Sequence, residues 1–410
     1  MESGYRQSTK EQGVTPQAGK EYGIRMWNKE LAGKKLNVLD KRELIGTACE
    51  QMLSYGQWDV GKKIKNGVKK YLLGRQTAAE DCIFWTTGLL AAGLWHCRQE
   101  LLLMQAEKED EIVDTLLQRI ENALSAYFTR WEKKGMPIYY LDDLLSGEVF
   151  LAAYAEYAQS HRENGIIHAK NAEQYREAVE KLAEYAFSYP TDETGSFPYR
   201  MNQKNGHIYV DSVGMTSPFL YQYGCFHEKD QGMELAVKQI ANVLAYGTDA
   251  ATGLPYHGYN VIAGDKYGII GWGRAVGWLL RGMLGCMTTV YGAERLKESY
   301  CNLIDASLIW QRKDGFFSWQ LQAVEGPADS SATAMICLAL QEGIRTRMIQ
   351  GEAYQAALDK GIHALQKSIR NGRVYDCLGE CEGFSLYPQN YDAYPWSLGV
   401  ALLLDGLAGS

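Results

Sequence analysis

GWGRAVGWLLRGML, residues 271–284, decides the architecture of this chain. A turn of tryptophan and glycine runs straight into a stretch that is apolar on most sides, as a fully buried helix requires. The same passage from a polar or aromatic turn into an apolar helical stretch occurs five more times: FWTTGLLAAGLW (84–95), YLDDLLSGEVFLAAY (140–154), VDSVGMTSPFLYQYG (210–224), DSSATAMICLAL (329–340) and YPWSLGVALLL (394–404). The anchors Trp85, Asp142, Asp211, Trp272, Ser330 and Trp396 lie roughly 57 to 69 residues apart. A repeat near 60 residues accommodates two helices and two loops at ~1.5 Å of rise per helical residue. Six such pairs predict an all-α closed toroid, the (α/α)6 barrel. In that arrangement the six inner helices start at one rim, and the residues at their starts converge on one cavity.

Between the anchors lie segments with apolar residues at helical spacing and charges between them, as an outer ring facing water requires. They are 108–130, 171–187, 231–246, 293–311 and 352–370. The loops that lead from outer to inner helices carry Gly, Pro, Asn and Asp at their turns: 192–206, 249–260, 312–320 and 378–395. These rim loops shape the mouth of the cavity, and a short strand is expected at 207–210. No Pro/Ser-rich linker interrupts the repeat, so residues 21–410 are expected to form one domain, with residues 1–20 a flexible N-terminus.

A net charge of -7 argues against a nucleic-acid or anionic-membrane partner. No stretch is long and apolar enough to span a bilayer or to serve as a signal peptide, and nine cysteines without CxxC pairs suit a reducing compartment. The expected location is the cytoplasm, with the protein a monomer or weak homo-oligomer. Cys377 and Cys381 are the closest cysteine pair and read as two ordinary thiols near a loop. The motifs of serine-elbow hydrolases, phosphate-cradling loops and HExxH metalloenzymes are absent.

Five anchor turns carry residues suited to chemistry on a sugar. Asp211 opens an inner segment; it reads either as a helix N-cap or as an acid/base at the cavity floor. Burial and a second carboxylate would raise its pKa. Asp142 and Asp143 open the preceding inner segment and carry the same two readings. If both anchors face the cavity, Asp142 and Asp211 form the paired carboxylates usual in glycosidic chemistry. Arg274 sits between Trp272 and Trp278 with few charges around it. It must be paired when buried, either with a neighbouring carboxylate or as a bidentate clamp on a substrate carboxylate. His257, on the glycine-rich GLPYHGYN loop, is a candidate substrate contact. Trp85, Trp272, Trp278 and Trp396 can serve as core or as sugar-stacking surfaces.

The ordered set YVDSVGMTSPFLYQYG, TGLPYHGYN, GWGRAVGW, SSATAMICLAL and PWSLG resembles the unsaturated uronyl hydrolases of glycoside hydrolase families 88 and 105, and most of all the unsaturated rhamnogalacturonyl hydrolases of family 105. The resemblance runs from about residue 25 to the end of the chain. It implies the (α/α)6 barrel and no metal, nucleotide or redox cofactor. The implied substrate is an oligosaccharide made by a polysaccharide lyase, with a 4,5-unsaturated uronic acid at its non-reducing end. The implied reaction hydrates the C4–C5 double bond rather than attacking the anomeric carbon. Carried over by motif, the acid/base is Asp211, and the second aspartate is Asp142 with Asp143 as fallback. His257, Arg274 and Trp278 fall at substrate-contacting positions, with Trp272 and Trp85 beside them. The chain departs from the family pattern at Ala275 and Val276, where Gly and Asn are usual, and at Asn260, where Asp is common.

Three other readings fit the toroid. An inverting glycosidase would use Asp142 and Asp211 across an ordinary glycosidic bond. An epimerase would want paired rim histidines, and only His257 is well placed. A non-catalytic toroid binding a glycan or a protein would need no pKa-shifted carboxylate.

Overall fold

A computed structural model describes residues 38–55, 81–107, 109–164, 166–200 and 206–407. The expected flexible segment 1–20 lies outside the described residues. Twelve α-helices are present among those described. The outer ones are α1 (Arg42–Ser54), α3 (Glu111–Lys133), α5 (Ile166–Ser188), α7 (Asp230–Tyr246), α9 (Val290–Leu308) and α11 (Glu352–Ser368). The inner ones are α2 (Trp85–Glu107), α4 (Ser146–Asn164), α6 (Asp211–His227), α8 (Gly273–Cys286), α10 (Ser330–Arg345) and α12 (Pro395–Leu402). Each inner helix packs on the next, and α12 packs on α2, so the ring closes. This is the (α/α)6 toroid.

Helix polarity follows the chemistry of the two rings. Helix α8 buries Gly273 through Leu280 without interruption, whereas α3 buries only a stripe from Val113 to Trp131. Glycines set how closely the inner helices approach. A methyl group at Gly93 would stand 2.4 Å from the Gly399 carbonyl oxygen, so the closing seam of α2 and α12 is a glycine-on-glycine contact. Gly214 of α6 faces the Trp278 carbonyl of α8 at the same separation.

Pro218 inside α6 has no N–H for the Gly214 carbonyl one turn earlier. Arg281 of α8 donates to that carbonyl instead, and its other terminal nitrogen pairs with Glu148 of α4 at 2.7 Å. One guanidinium thus joins three inner helices. Glu148 is 1% exposed, and burial raises its pKa against the pull of Arg281. Arg281→Met should therefore strand a buried carboxylate and cost about 3–5 kcal/mol. Thermal unfolding checks this, and the double change with Glu148→Leu should recover part of the loss.

Short strands brace the rim. β1 (Ile208–Tyr209), β2 (Gly258–Asn260) and β3 (Asp265–Tyr267) form one antiparallel sheet in that order, with Ile208 opposite Tyr259 and Gly258 opposite Tyr267. β4 (Ile369–Arg370) pairs with β5 (Arg373–Val374), and β6 (Cys377–Leu378) with β7 (Tyr391–Asp392). The strand expected at 207–210 is β1. All nine cysteines are free thiols, and Cys377 and Cys381 have separate partners. No helix among the described residues is long and apolar enough to cross a membrane.

Candidate active site

Asp211 is the first residue of α6. The capping position belongs to Val210, and no side chain caps the helix, so the carboxylate of Asp211 is not used as a cap. Its side chain is 13% exposed, and Oδ1 is buried without a hydrogen-bond partner. The backbone carbonyl of His257 accepts from Val210 N–H at 3.0 Å, which ties the histidine loop to the start of α6. That tie brings His257 Nε2 to 3.6 Å from Asp211 Oδ2. The imidazole is fully buried and is oriented by Tyr387, whose hydroxyl lies 2.7 Å from Nδ1.

The adjacent aspartates of LDDLLSG have different tasks. Asp143 accepts from the backbone N–H groups of Tyr139 and Tyr140 at 2.8 and 3.3 Å, closing the start of the short 3-10 helix Leu141–Leu145. Burial, together with the neighbouring buried Asp81, raises its pKa well above the usual value. Asp142 takes no part in capping. Its Oδ2 accepts from the Tyr199 hydroxyl at 3.0 Å, and its Oδ1 is buried without a partner. Burial lifts the Asp142 carboxyl to about 7; Tyr199 opposes the rise, and the charges of Asp211, Asp81 and Glu380 add to it. The environment sought for a carboxyl that stays protonated near neutrality is therefore found at Asp142.

Arg274 is 2% exposed on the first turn of α8. Its terminal nitrogens donate to the Leu378 and Gly379 carbonyls at 2.5 and 2.6 Å, and its guanidinium lies 4.9 Å from the Trp272 ring centroid and 5.8 Å from that of Trp396. Two of five N–H donors are thus spent on the 378–394 loop rather than on a carboxylate of the next helix. The tryptophans form a belt behind the cavity. Trp85 meets Trp278 edge-on at 5.8 Å and Trp396 at 5.1 Å, and Trp272 lies 4.4 Å from the His257 ring. Trp272 and Trp278 are each 1% exposed, so they act here as packed walls. The Nε1 atoms of Trp272 and Trp396 are buried without partners, as are carboxylate oxygens of Asp142 and Asp211 and the hydroxyl of Ser330. Unpaired buried polar atoms are costly. Several of them gather at the inner-helix starts, where a polar ligand could satisfy them. Of the family departures, Ala275 and Val276 are fully buried, and Asn260 accepts from the Ala263 N–H at 3.1 Å in a rim turn.

Several contributors escaped the sequence reading. Tyr199, Tyr209, Cys381, Phe384 and Tyr387 come from the rim loops, whose turn composition marked them as loops but did not say which side chain turns inward. Phe384 stacks on Tyr209 at 4.0 Å and on Tyr267 at 5.1 Å, and a methyl group at Gly258 would collide with it. Tyr387 packs on Trp272 and Trp319. The 378–394 loop is thereby seated over Asp211 and His257. Burial pushes the Cys381 thiol up to about 12, and Asp211 adds to the rise.

A deep toroid with paired carboxylates at its inner-helix starts is a glycoside hydrolase arrangement. The family model for Glycosyl Hydrolase Family 88 matches residues 85–404, and the chain belongs to that family. It is similar to a solved structure of a possible member of family GH105 from Klebsiella pneumoniae, at 17% identity and a TM-score of 0.69, covering 91% of this chain and 94% of that one. It is also similar to an unsaturated glucuronyl hydrolase, responsible for the degradation of glycosaminoglycan, from Bacillus sp. GL1. There the identity is 18% and the TM-score 0.57, over 80% of this chain and 88% of that one. Protein Atu3128 of Agrobacterium fabrum is 31% identical over 166 residues, or 37% of this chain and 70% of that protein.

Proposed function

We propose that this glycoside hydrolase removes a 4,5-unsaturated uronic acid from the non-reducing end of lyase-generated oligosaccharides, with unsaturated galacturonyl-rhamnose from rhamnogalacturonan as the substrate. The observation that carries the reading is the pair Asp142 and Asp211, one fully buried and raised to about 7, the other 13% exposed and beside His257. Protonating an alkene carbon demands a carboxylic acid still neutral near pH 7. The Asp142 carboxyl, raised to about 7, still holds a proton in that range. Asp211, beside His257, passes a proton to C4, and positive charge develops at C5 beside the ring oxygen. Water adds at C5 and returns a proton to Asp211. The resulting hemiketal opens to a ketone at C5, and the hemiacetal left at C1 releases the aglycone. Arg274 supplies the cation facing the uronate carboxylate, and His257 holds a sugar hydroxyl. We assign the reaction to the cytoplasm, supported by nine free thiols.

The pH dependence follows from the Asp142 carboxyl. Above about 7 it ionises and that proton is lost, so kcat/KM should fall on that side. The Tyr199 hydrogen bond favours the ionised form and lowers the pKa. Tyr199→Phe removes it, keeps Asp142 protonated to higher pH, and should move the alkaline limb upward. A limb that moves down or stays fixed contradicts the pairing.

Arg274→Ala should raise KM for the unsaturated uronide by roughly 10- to 150-fold, the worth of a charge-assisted hydrogen bond of about 1.5–3 kcal/mol. Arg274→Lys should restore it only in part, because the fork is lost. Since Arg274 also holds the Leu378 and Gly379 carbonyls, melting temperature and binding of a substrate analogue are measured together. A variant that loses stability yet binds the anionic sugar normally would remove Arg274 from the clamp role. The substrate itself is tested by a panel of lyase digests of rhamnogalacturonan, homogalacturonan and glycosaminoglycans. The rhamnogalacturonan digest should react fastest.

A further inference from the structure

Asp211, His257 and Cys381 come from three separate elements: the start of α6, the residue before β2, and the loop after β6. The three donor atoms lie within 4.8 Å of one another. His257 Nε2 stands 3.6 Å from Asp211 Oδ2 and 3.9 Å from Cys381 Sγ. A tetrahedral zinc ion with ~2.1 Å bonds to N and O and ~2.3 Å to S sets those separations at about 3.4 and 3.6 Å. For those two separations, closing the difference takes a few tenths of an ångström.

The surroundings of the imidazole point the same way. The Tyr387 hydroxyl lies 2.7 Å from Nδ1, and Nε2 faces a carboxylate oxygen that is too far for a hydrogen bond. The other oxygen of that carboxylate is buried and unpartnered. Glu380 adds negative potential beside Cys381. The second comparable cluster, His96, Glu100 and Asp405, differs: there the Lys41 ammonium, 3.9 Å from Glu100, already supplies a cation.

We propose that Asp211, His257 and Cys381 form a three-ligand site for a thiophilic divalent cation of the zinc class, leaving one coordination position for water. Binding forms the sulfur–metal bond and sends the Cys381 thiol proton to solvent. The loop bearing Cys381 is then fixed to the cavity floor, and Asp211 is withdrawn from proton transfer. That last consequence, inhibition, rests on the function proposed above; the binding itself does not.

The test uses the full chain freed of metal by chelator dialysis, with Co2+ as the probe. One equivalent should give near-UV thiolate-to-cobalt charge transfer together with visible bands of four-coordinate cobalt, and Zn2+ should erase both. Cys381→Ser should lose the charge-transfer band, whereas Cys377→Ser should keep it. Absence of the band in the unaltered protein, or its survival in Cys381→Ser, overturns the site. Zn2+ should also inhibit turnover of a lyase digest, with at least tenfold weaker inhibition of Cys381→Ser. Equal inhibition of both proteins overturns the site as the cause. If no digest is turned over, the proposed function fails, and the cobalt spectra still decide the metal site.

Discussion

Asp211→Asn should abolish turnover of 4,5-unsaturated uronides to within about 10²- to 10⁴-fold of the starting rate or lower, the usual contribution of a positioned general acid–base. The substitution is nearly isosteric, and the side chain it alters caps no helix, so the fold should survive with its melting temperature little changed. Binding of the uronide should persist, because neither Arg274 nor His257 depends on the Asp211 charge for its backbone or tyrosine partner. The loss should therefore appear in kcat rather than in KM. An Asp211→Asn protein that retains most of its kcat removes this residue from proton transfer, whatever its stability.

Asp142→Asn carries the second large effect, and it should separate from Asp143→Asn in activity. An amide at 142 cannot hold the proton that the Asp142 carboxyl keeps up to about pH 7, so activity should fall severely. Stability should move the other way. The carboxyl is raised to about 7 in the folded chain and titrates near 3.8 in the unfolded one. A carboxyl raised on folding contributes its stability at low pH and loses it as pH rises through the folded value. At and above neutrality the buried Asp142 charge costs the fold, and the amide relieves that cost. Asp142→Asn should thus melt at the same temperature or higher. Asp143→Asn should be milder on activity, since an amide oxygen can still accept from the backbone N–H groups of Tyr139 and Tyr140 that close the 3-10 helix. If Asp143→Asn proves the more damaging to activity, the roles of the two neighbours are exchanged.

Much of this arrangement was legible in the sequence because it repeats. The closed ring follows from six apolar helices entered through turns of small residues, and the inner helices begin at or within a few residues of the anchors. Outer-helix ends were less legible: α9 runs Val290–Leu308 rather than 293–311, because the amphipathic pattern marks a buried stripe and not the capping residue. Within the site, pattern alone could not divide Asp142 from Asp143. The difference lies in which carboxylate reaches the backbone N–H groups of Tyr139 and Tyr140, a matter of geometry in a short 3-10 turn. Nor could it reveal that Arg274 holds two loop carbonyls, or that Phe384 and Tyr387 lean over His257. Those contacts span more than 100 residues and depend on side chains from irregular loops, which carry no periodicity.

Attack on the double bond rather than on the anomeric carbon separates the proposed reaction from ordinary glycoside hydrolysis. An unsaturated uronide whose anomeric oxygen is replaced by a carbon link distinguishes the two. Such a compound has no glycosidic bond to hydrolyse, but it keeps the C4–C5 vinyl ether. The protein should still bleach its near-UV absorbance, and Asp211→Asn should not. Cleavage of the ordinary oxygen-linked substrate, with the carbon-linked compound left unbleached, would contradict the proposed reaction and return the Asp142 and Asp211 pair to direct glycosidic hydrolysis.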